Sequence, residues 1–165
     1  MKVTAQEEYG LRCLAQLARG HTQGTPLTIP EIAAAEGLSS PYVGKILTAL
    51  RAGGLVTSVR GRSGGYVLSR NPRAITLDEV LTVLGGRLFA SSYCEKYHGD
   101  RDNCVHTVDC ALRPVWGSIE LIVGSVLKRM SLADLVDTEQ GMRSSLSAAV
   151  QDTLEERRAD SLQAR

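Results

Sequence analysis

Cys94, Cys104 and Cys110 fall within one short polar segment, with nine residues in the first gap and five in the second. Thiolates grouped this tightly hold a metal ion or an iron–sulfur cluster, or they form a redox switch. The stretch from Tyr93 to Cys110 is rich in Asp, Asn, Gly and His and poor in large aliphatic residues. Little core is therefore available to hold it folded, and something other than hydrophobic burial has to order it. His98 and His106 lie in the same segment, and three thiolates with one imidazole make a common closed zinc site. Either histidine also suits a solvated surface. Ligand softness does not choose between zinc and an iron–sulfur cluster, because thiolates suit both. The fourth cysteine, Cys13, sits among Tyr9, Leu14 and Leu17 in a helical pattern and reads as a buried, inert thiol.

The elements that must position this chemistry begin upstream. Thr4 with Glu7 forms a capping box that opens a helix carrying Leu11, Leu14, Leu17 and Ala18, with Gly20 as its expected left-handed stop. A second box, Thr28 with Glu31, opens a helix containing Ile32 and Ala35 that closes at Gly37. Only Leu38 and Ser39 intervene before Ser40 and Pro41 start a third helix, where a first-turn proline sacrifices no hydrogen bond. Val43, Ile46, Leu47 and Leu50 are its buried stripe, and Gly53 with Gly54 end it. Two short helices joined this tightly predict a helix-turn-helix. Residues 55–59 then alternate as a strand, 60–65 form a glycine-rich turn, and 66–68 return as the partner strand. A hairpin directly after a recognition helix is the wing of a winged helix. Its tip carries Arg60 and Arg62 among three glycines, which let the backbone approach a duplex closely.

The charge distribution agrees with a phosphate-facing surface. The 165-residue chain has a net charge of +1, yet no acidic residue lies between Glu36 and Asp78. Lys45, Arg51, Arg60, Arg62, Arg70 and Arg73 all fall in that interval. Ser39, Ser40, Tyr42 and Lys45 occupy the recognition helix's first turns, the part that reaches base edges. Arg51, Arg60 and Arg62 complete the expected DNA-binding set. Tyr42 is equally suited to packing on the first helix. The start of the chain lacks the apolar core of a signal peptide, and no stretch is long enough to span a membrane, so a cytoplasmic location is expected. There, cysteines are free or metal-bound more often than paired.

A third Thr-x-x-Glu pattern, Thr76 with Glu79, opens another helix that stops at Gly85 and Gly86. Beyond the cysteines, Pro114 begins the longest periodic stretch, in which Val115, Trp116, Ile119, Ile122, Val123, Val126, Leu127 and Met130 recur at three and four residues. No large domain follows to bury this stripe. Its natural partner is its own copy in a second subunit, which would set two wings on a two-fold DNA site, or else it folds back over the winged region. Ser131 to Asp134 starts a last short helix. The fold expected is mainly α with a small β-hairpin: a winged helix-turn-helix over 1–86, a cysteine-rich loop over 87–113, and a dimerisation helix with a short successor over 114–137. Residues 138–165, charged and rich in Gln, Ser and Arg, are expected to form a flexible tail. No phosphate-binding glycine loop, Cys-x-x-Cys pair or acid–base constellation points to an enzyme or a small-molecule substrate. The partner expected is a double-stranded DNA operator. A zinc-stabilised or thiol-disulfide DNA-binding regulator, or a scaffold that merely carries a cluster, remain as alternatives.

Glu8 to Arg12, Ser40 to Lys45, Arg60 to Tyr66 and Ile75 to Val80 together resemble the iron–sulfur winged-helix repressors of the IscR and NsrR type. The resemblance covers roughly residues 1–137. It implies a homodimer that holds a cluster on the three cysteines, either 2Fe-2S or 4Fe-4S, with DNA affinity set by cluster state. Two positions depart from the pattern. The first cysteine gap is longer than the five residues familiar in those relatives, and Arg113 stands where the biogenesis regulators carry a histidine. The nitric-oxide sensors of this type use an N-terminal acid of the partner subunit as fourth ligand, which implies Glu8 here. Glu7 is engaged by Thr4 in the capping box, whereas Glu8 has no evident structural task beyond its favourable place in a first turn.

Overall fold

The computed structural model describes residues 3–21, 24–61, 63–86, 97–106 and 108–163. Helices α1 (Ala5–His21), α2 (Ile29–Glu36) and α3 (Ser40–Ala52) lead into an antiparallel hairpin of β1 (Val56–Val59) and β2 (Gly65–Leu68). A short 3-10 turn (Pro72–Ala74) precedes α4 (Leu77–Gly85), and after the cysteine segment come α5 (Leu112–Arg129), α6 (Leu132–Leu135) and α7 (Glu139–Gln163). This is the mainly helical, winged architecture that the sequence implies. No helix among the described residues is long and apolar enough to cross a membrane.

Local chemistry explains the boundaries. The Glu7 carboxylate accepts from the Thr4 backbone N–H at 2.7 Å while the Glu7 N–H donates to the Thr4 hydroxyl at 3.2 Å, which completes the first box. Thr28 and Glu31 close the second in the same way, and their hydrogen bonds hold the Glu31 carboxyl below its ordinary range. Gly37 then ends α2 with φ of 66°, a conformation that favours glycine. Gly20, by contrast, does not stop α1, which runs one residue further to His21; among the described residues the first left-handed one is Gly24. At α4 only half of the expected box forms. Thr76 accepts from the Glu79 N–H, but the Glu79 carboxylate is drawn away to pair with Arg70.

One hydrophobic cluster unites α1 to α4 and the hairpin through Leu14, Ile32, Val43, Leu47, Leu50, Leu55 and Val80, among others. Cys13 lies inside it, fully buried, and desolvation pushes its thiol up to about 11, followed in effect by the nearby Glu36 charge. The expectation of an inert thiol fits that environment. A feature with no warning in the sequence ties α1 to α2. Arg12 Nε donates to Glu36 Oε2 at 2.6 Å, Gln16 Nε2 donates to Glu36 Oε1 at 2.5 Å, and the Arg12 guanidinium lies 5.4 Å from the Tyr9 ring centroid.

The end of α5 is anchored to the winged region and its beginning is not. Met130 is buried with Leu77 and Ala149, and backbone bonds run from Leu77 N to Met130 O and from Leu132 N to Ile75 O. Towards the other end, Val115 is 47% and Ile122 41% exposed. Both expectations for the stripe therefore have a face: the fold-back occupies the last turns, and an open apolar surface remains on the first. The tail differs from expectation. Residues 139–163 form the 25-residue α7, initiated where Thr138 accepts from the Gly141 N–H and packed on α5 through buried Ala149 and Thr153 and the Arg129–Glu156 pair. Its Ala, Leu, Gln, Glu and Arg content is good helix material, with no proline to break it.

Candidate nucleic-acid interface and metal centre

Helix α3 presents its polar arc outward because its apolar stripe is spent on the core. Ser39 is the N-cap residue, yet its hydroxyl makes no capping bond, so both it and the exposed Ser40 stay available to an external acceptor. Lys45 and Arg51 are exposed along the same helix, and so is Thr48, which the sequence reading passed over. Its place three residues from each of them was the available signal. Tyr42 is half-buried, with its ring edge-on to Tyr9 at 5.9 Å and 85°. Of its two sequence-level roles, packing on the first helix is the one its ring performs.

The hairpin carries Arg60, exposed just past β1, while Arg62 lies outside the described residues. The wing is held to the helices by an isolated pairing of Leu27 with Tyr66, bonded in both directions at 3.0 and 2.8 Å. Gly65 makes this possible: a Cβ there would stand 2.6 Å from the Leu27 carbonyl oxygen. Not every basic residue of the acid-free interval is free. Arg70 is taken by Glu79 and by the Ala74 carbonyl.

The cysteine segment has little regular structure between Tyr97 and Cys110. Cys104 and Cys110 are half-buried free thiols, and Cys94 lies outside the described residues. Among the described residues, no three His, Cys, Asp or Glu side chains converge on one point. The donor set nonetheless fits a soft metal centre, since its two described thiols are unpaired and partly shielded. His106 is exposed, and its carbonyl accepts from Arg113 at 3.3 Å. His98 is half-buried, and its Nδ1 is enclosed with no hydrogen-bond partner. Glu8 is exposed in the first turn of α1, beside the engaged Glu7. The Arg113 N–H donates to the Cys110 carbonyl at 3.2 Å, so the last cysteine is hydrogen-bonded into the start of α5.

Comparison with known proteins adds to this geometry. A family model described as iron-dependent transcriptional regulator, Rrf2, matches residues 3–138. The transcriptional regulator CymR of Bacillus subtilis is 33% identical over 141 residues, covering 86% of this chain and 94% of the relative. Its solved structure, described as that of a global cysteine regulator, superposes with a TM-score of 0.67 at 32% identity, covering 82% of this chain and 96% of that one. The structure of T. potens IscR follows at 0.64 and 31%, covering 82% and 86%.

Proposed function

The chain belongs to the Rrf2 family of iron-dependent transcriptional regulators, and on that footing we propose a homodimeric cytoplasmic repressor whose operator affinity is set by an iron–sulfur cluster. The observation that carries this reading is the pairing of an exposed, acid-free surface on α3 and the wing with a cysteine segment whose described residues join no hydrophobic core. Ser39, Ser40 and Lys45 read the major groove from α3, and Arg51, Arg60 and Arg62 hold phosphates or a groove edge. The open first turns of α5 support dimerisation, since exposed aliphatic residues at helical spacing suit a second copy of themselves.

Cys94, Cys104 and Cys110 hold the cluster, and Glu8 of the partner subunit is the fourth ligand. When bound, the cluster supplies a redox- and nitric-oxide-sensitive centre. The chain's own residues carry the signal onward. Cys110 is bonded to the first turn of α5 through Arg113, and Arg113 also braces the carbonyl of His106. Helix α5 in turn lies on α4, whose Val83 fills the notch left by Gly53 at the end of the recognition helix; a Cβ at Gly53 would meet Val83 Cγ1 at 2.5 Å. Contacts thus run from Cys110 through α5 and α4 to the end of α3, and a cluster held at Cys110 would act on the recognition helix through them.

A second reading, a zinc-stabilised or thiol-disulfide regulator without a cluster, is favoured by the enclosed, unpartnered His98 Nδ1 and by likeness to a cysteine regulator. Iron, sulfide and zinc analysis of anaerobically purified protein, with its visible spectrum, separates the two. Matching iron and sulfide is expected, and holo and apo protein should differ about 5–150-fold in operator affinity at fixed salt. One zinc per chain in a colourless protein, or equal affinities, would overturn the cluster switch.

A further inference from the structure

A cavity of about 210 Å³ opens between α4 and α5, and neither the reading-surface residues nor Cys104 and Cys110 line it. Its wall combines an aliphatic part, Leu81 and Leu121, with Asp78 and Glu120 on one account of charge and Lys128 on the other. Asp78 and Lys128 enter no ion pair among the described residues, so their charges are not spent on each other. Two glycines, Gly117 and Gly124, lie one heptad apart on the wall that α5 contributes. Neither is demanded by packing. A Cβ at Gly117 would meet nothing within 4 Å, and one at Gly124 would make an ordinary 3.7 Å contact with Asp78 Oδ1. Glycine inside a helix is unfavourable, so bare backbone here leaves room that alanine or leucine would fill.

We propose that this cavity binds a small aliphatic amino acid as an effector: its ammonium faces Asp78, its carboxylate faces Lys128, and its side chain lies on Leu81 and Leu121. The size suits such a molecule, and a zwitterion offers a counter-charge to both Asp78 and Lys128, which an apolar ligand does not. The site's position gives binding a consequence. The opposite edge of α4 is keyed into the reading domain, with Val83 in the Gly53 notch and Leu84 against the bare backbone of Gly10. A ligand that clamps α4 to α5 acts on an element already locked to the recognition helix. This inference does not depend on the cluster.

Calorimetric titration of the full chain with L-leucine tests it, beside isoamylamine and 4-methylpentanoate, which lack the carboxylate and the ammonium respectively. Saturable binding of L-leucine is expected, with each truncated analogue about tenfold weaker or worse. Gly117→Leu, which fills the cavity from a position with open space, and Lys128→Ala, on an exposed side chain, should both abolish binding while circular dichroism stays that of the parent. Absence of saturable heat up to about 10 mM, equal binding of either analogue, or binding that survives Gly117→Leu would each overturn the assignment.

Discussion

Removing the Arg60 guanidinium offers a quantitative test of the reading surface, because the structure supplies its own control. Arg60 and Arg70 flank the same hairpin, and a composition argument counts them alike. Arg60 is exposed at the wing, whereas Arg70 pairs with Glu79 and donates to the Ala74 carbonyl at 3.1 Å. If Arg60 meets one phosphate per protomer, a dimer loses two contacts in Arg60→Ala. Each contact contributes about 0.9 to the slope of log affinity against log salt, so the slope should fall by about 1.8. Across a fourfold rise in salt, the parent should then lose about tenfold more affinity than the variant does. Arg70→Ala should leave the slope unchanged and cost about 0–1 kcal/mol of stability, as expected of a surface pair. Because the phosphate contribution is independent of sequence, fluorescence anisotropy on any labelled duplex suffices, and the operator need not be known. An unchanged slope for Arg60→Ala would remove the wing from the interface. An equal fall for Arg70→Ala would mean that the Glu79 pair opens on DNA and that the structure's distinction is irrelevant to binding.

Three further outcomes follow from particular contacts. Glu7→Ala breaks the first capping box and should cost about 1 kcal/mol in urea denaturation, while Glu8→Ala, at an exposed position, should stay within about 0.5 kcal/mol and instead lower the iron content of anaerobically purified protein. Cys13, protonated up to about 11 in the folded chain against 9.0 for an ordinary thiol, contributes stability that is complete below pH 9 and declines as pH rises towards 11; chemical denaturation at pH 8 and pH 10.5 should show the loss, absent in Cys13→Ala (pH values chosen to bracket about 9–11). Gly65→Ala sets a methyl 2.6 Å from the Leu27 carbonyl oxygen, so the wing must shift: a loss of about 1–3 kcal/mol and faster proteolysis of the hairpin are expected.

What was legible in the sequence was whatever local chemistry decides. The capping residues Thr4, Thr28 and Thr76 located three helix starts, Gly37 located a stop, and the glycine-rich turn after Val59 located the wing. Each of those signals acts within four residues, and the structure honours it. The misreadings share the opposite character. Gly20 looked like a stop, but the chain's path to α2 is set by the Leu27–Tyr66 bridge, so the left-handed turn falls at Gly24 instead. Glu79 looked like half of a capping box, but a cation nine residues upstream competes for its carboxylate and wins. The polar stretch from residue 138 looked unable to fold alone, and that judgement was reasonable for an isolated helix, whose stability comes mainly from a packed face. Here Met142, Ala149 and Thr153 provide a narrow face that α5 accepts, although no run of large aliphatic residues advertises it. The same division runs through the candidate sites. Ser39, Ser40, Lys45 and Arg51 could be placed on one outward arc from a single helix's periodicity, and the structure leaves these four exposed while Tyr42 is half-buried against Tyr9. The proposed ligand set, by contrast, would join the cysteines of one segment to Glu8 far away in sequence, and the cavity between α4 and α5 is made from two helices separated by the whole cysteine segment. Neither carries a local periodicity, so only chemistry that measures the assembled site, metal content for the first and a titration for the second, can read it.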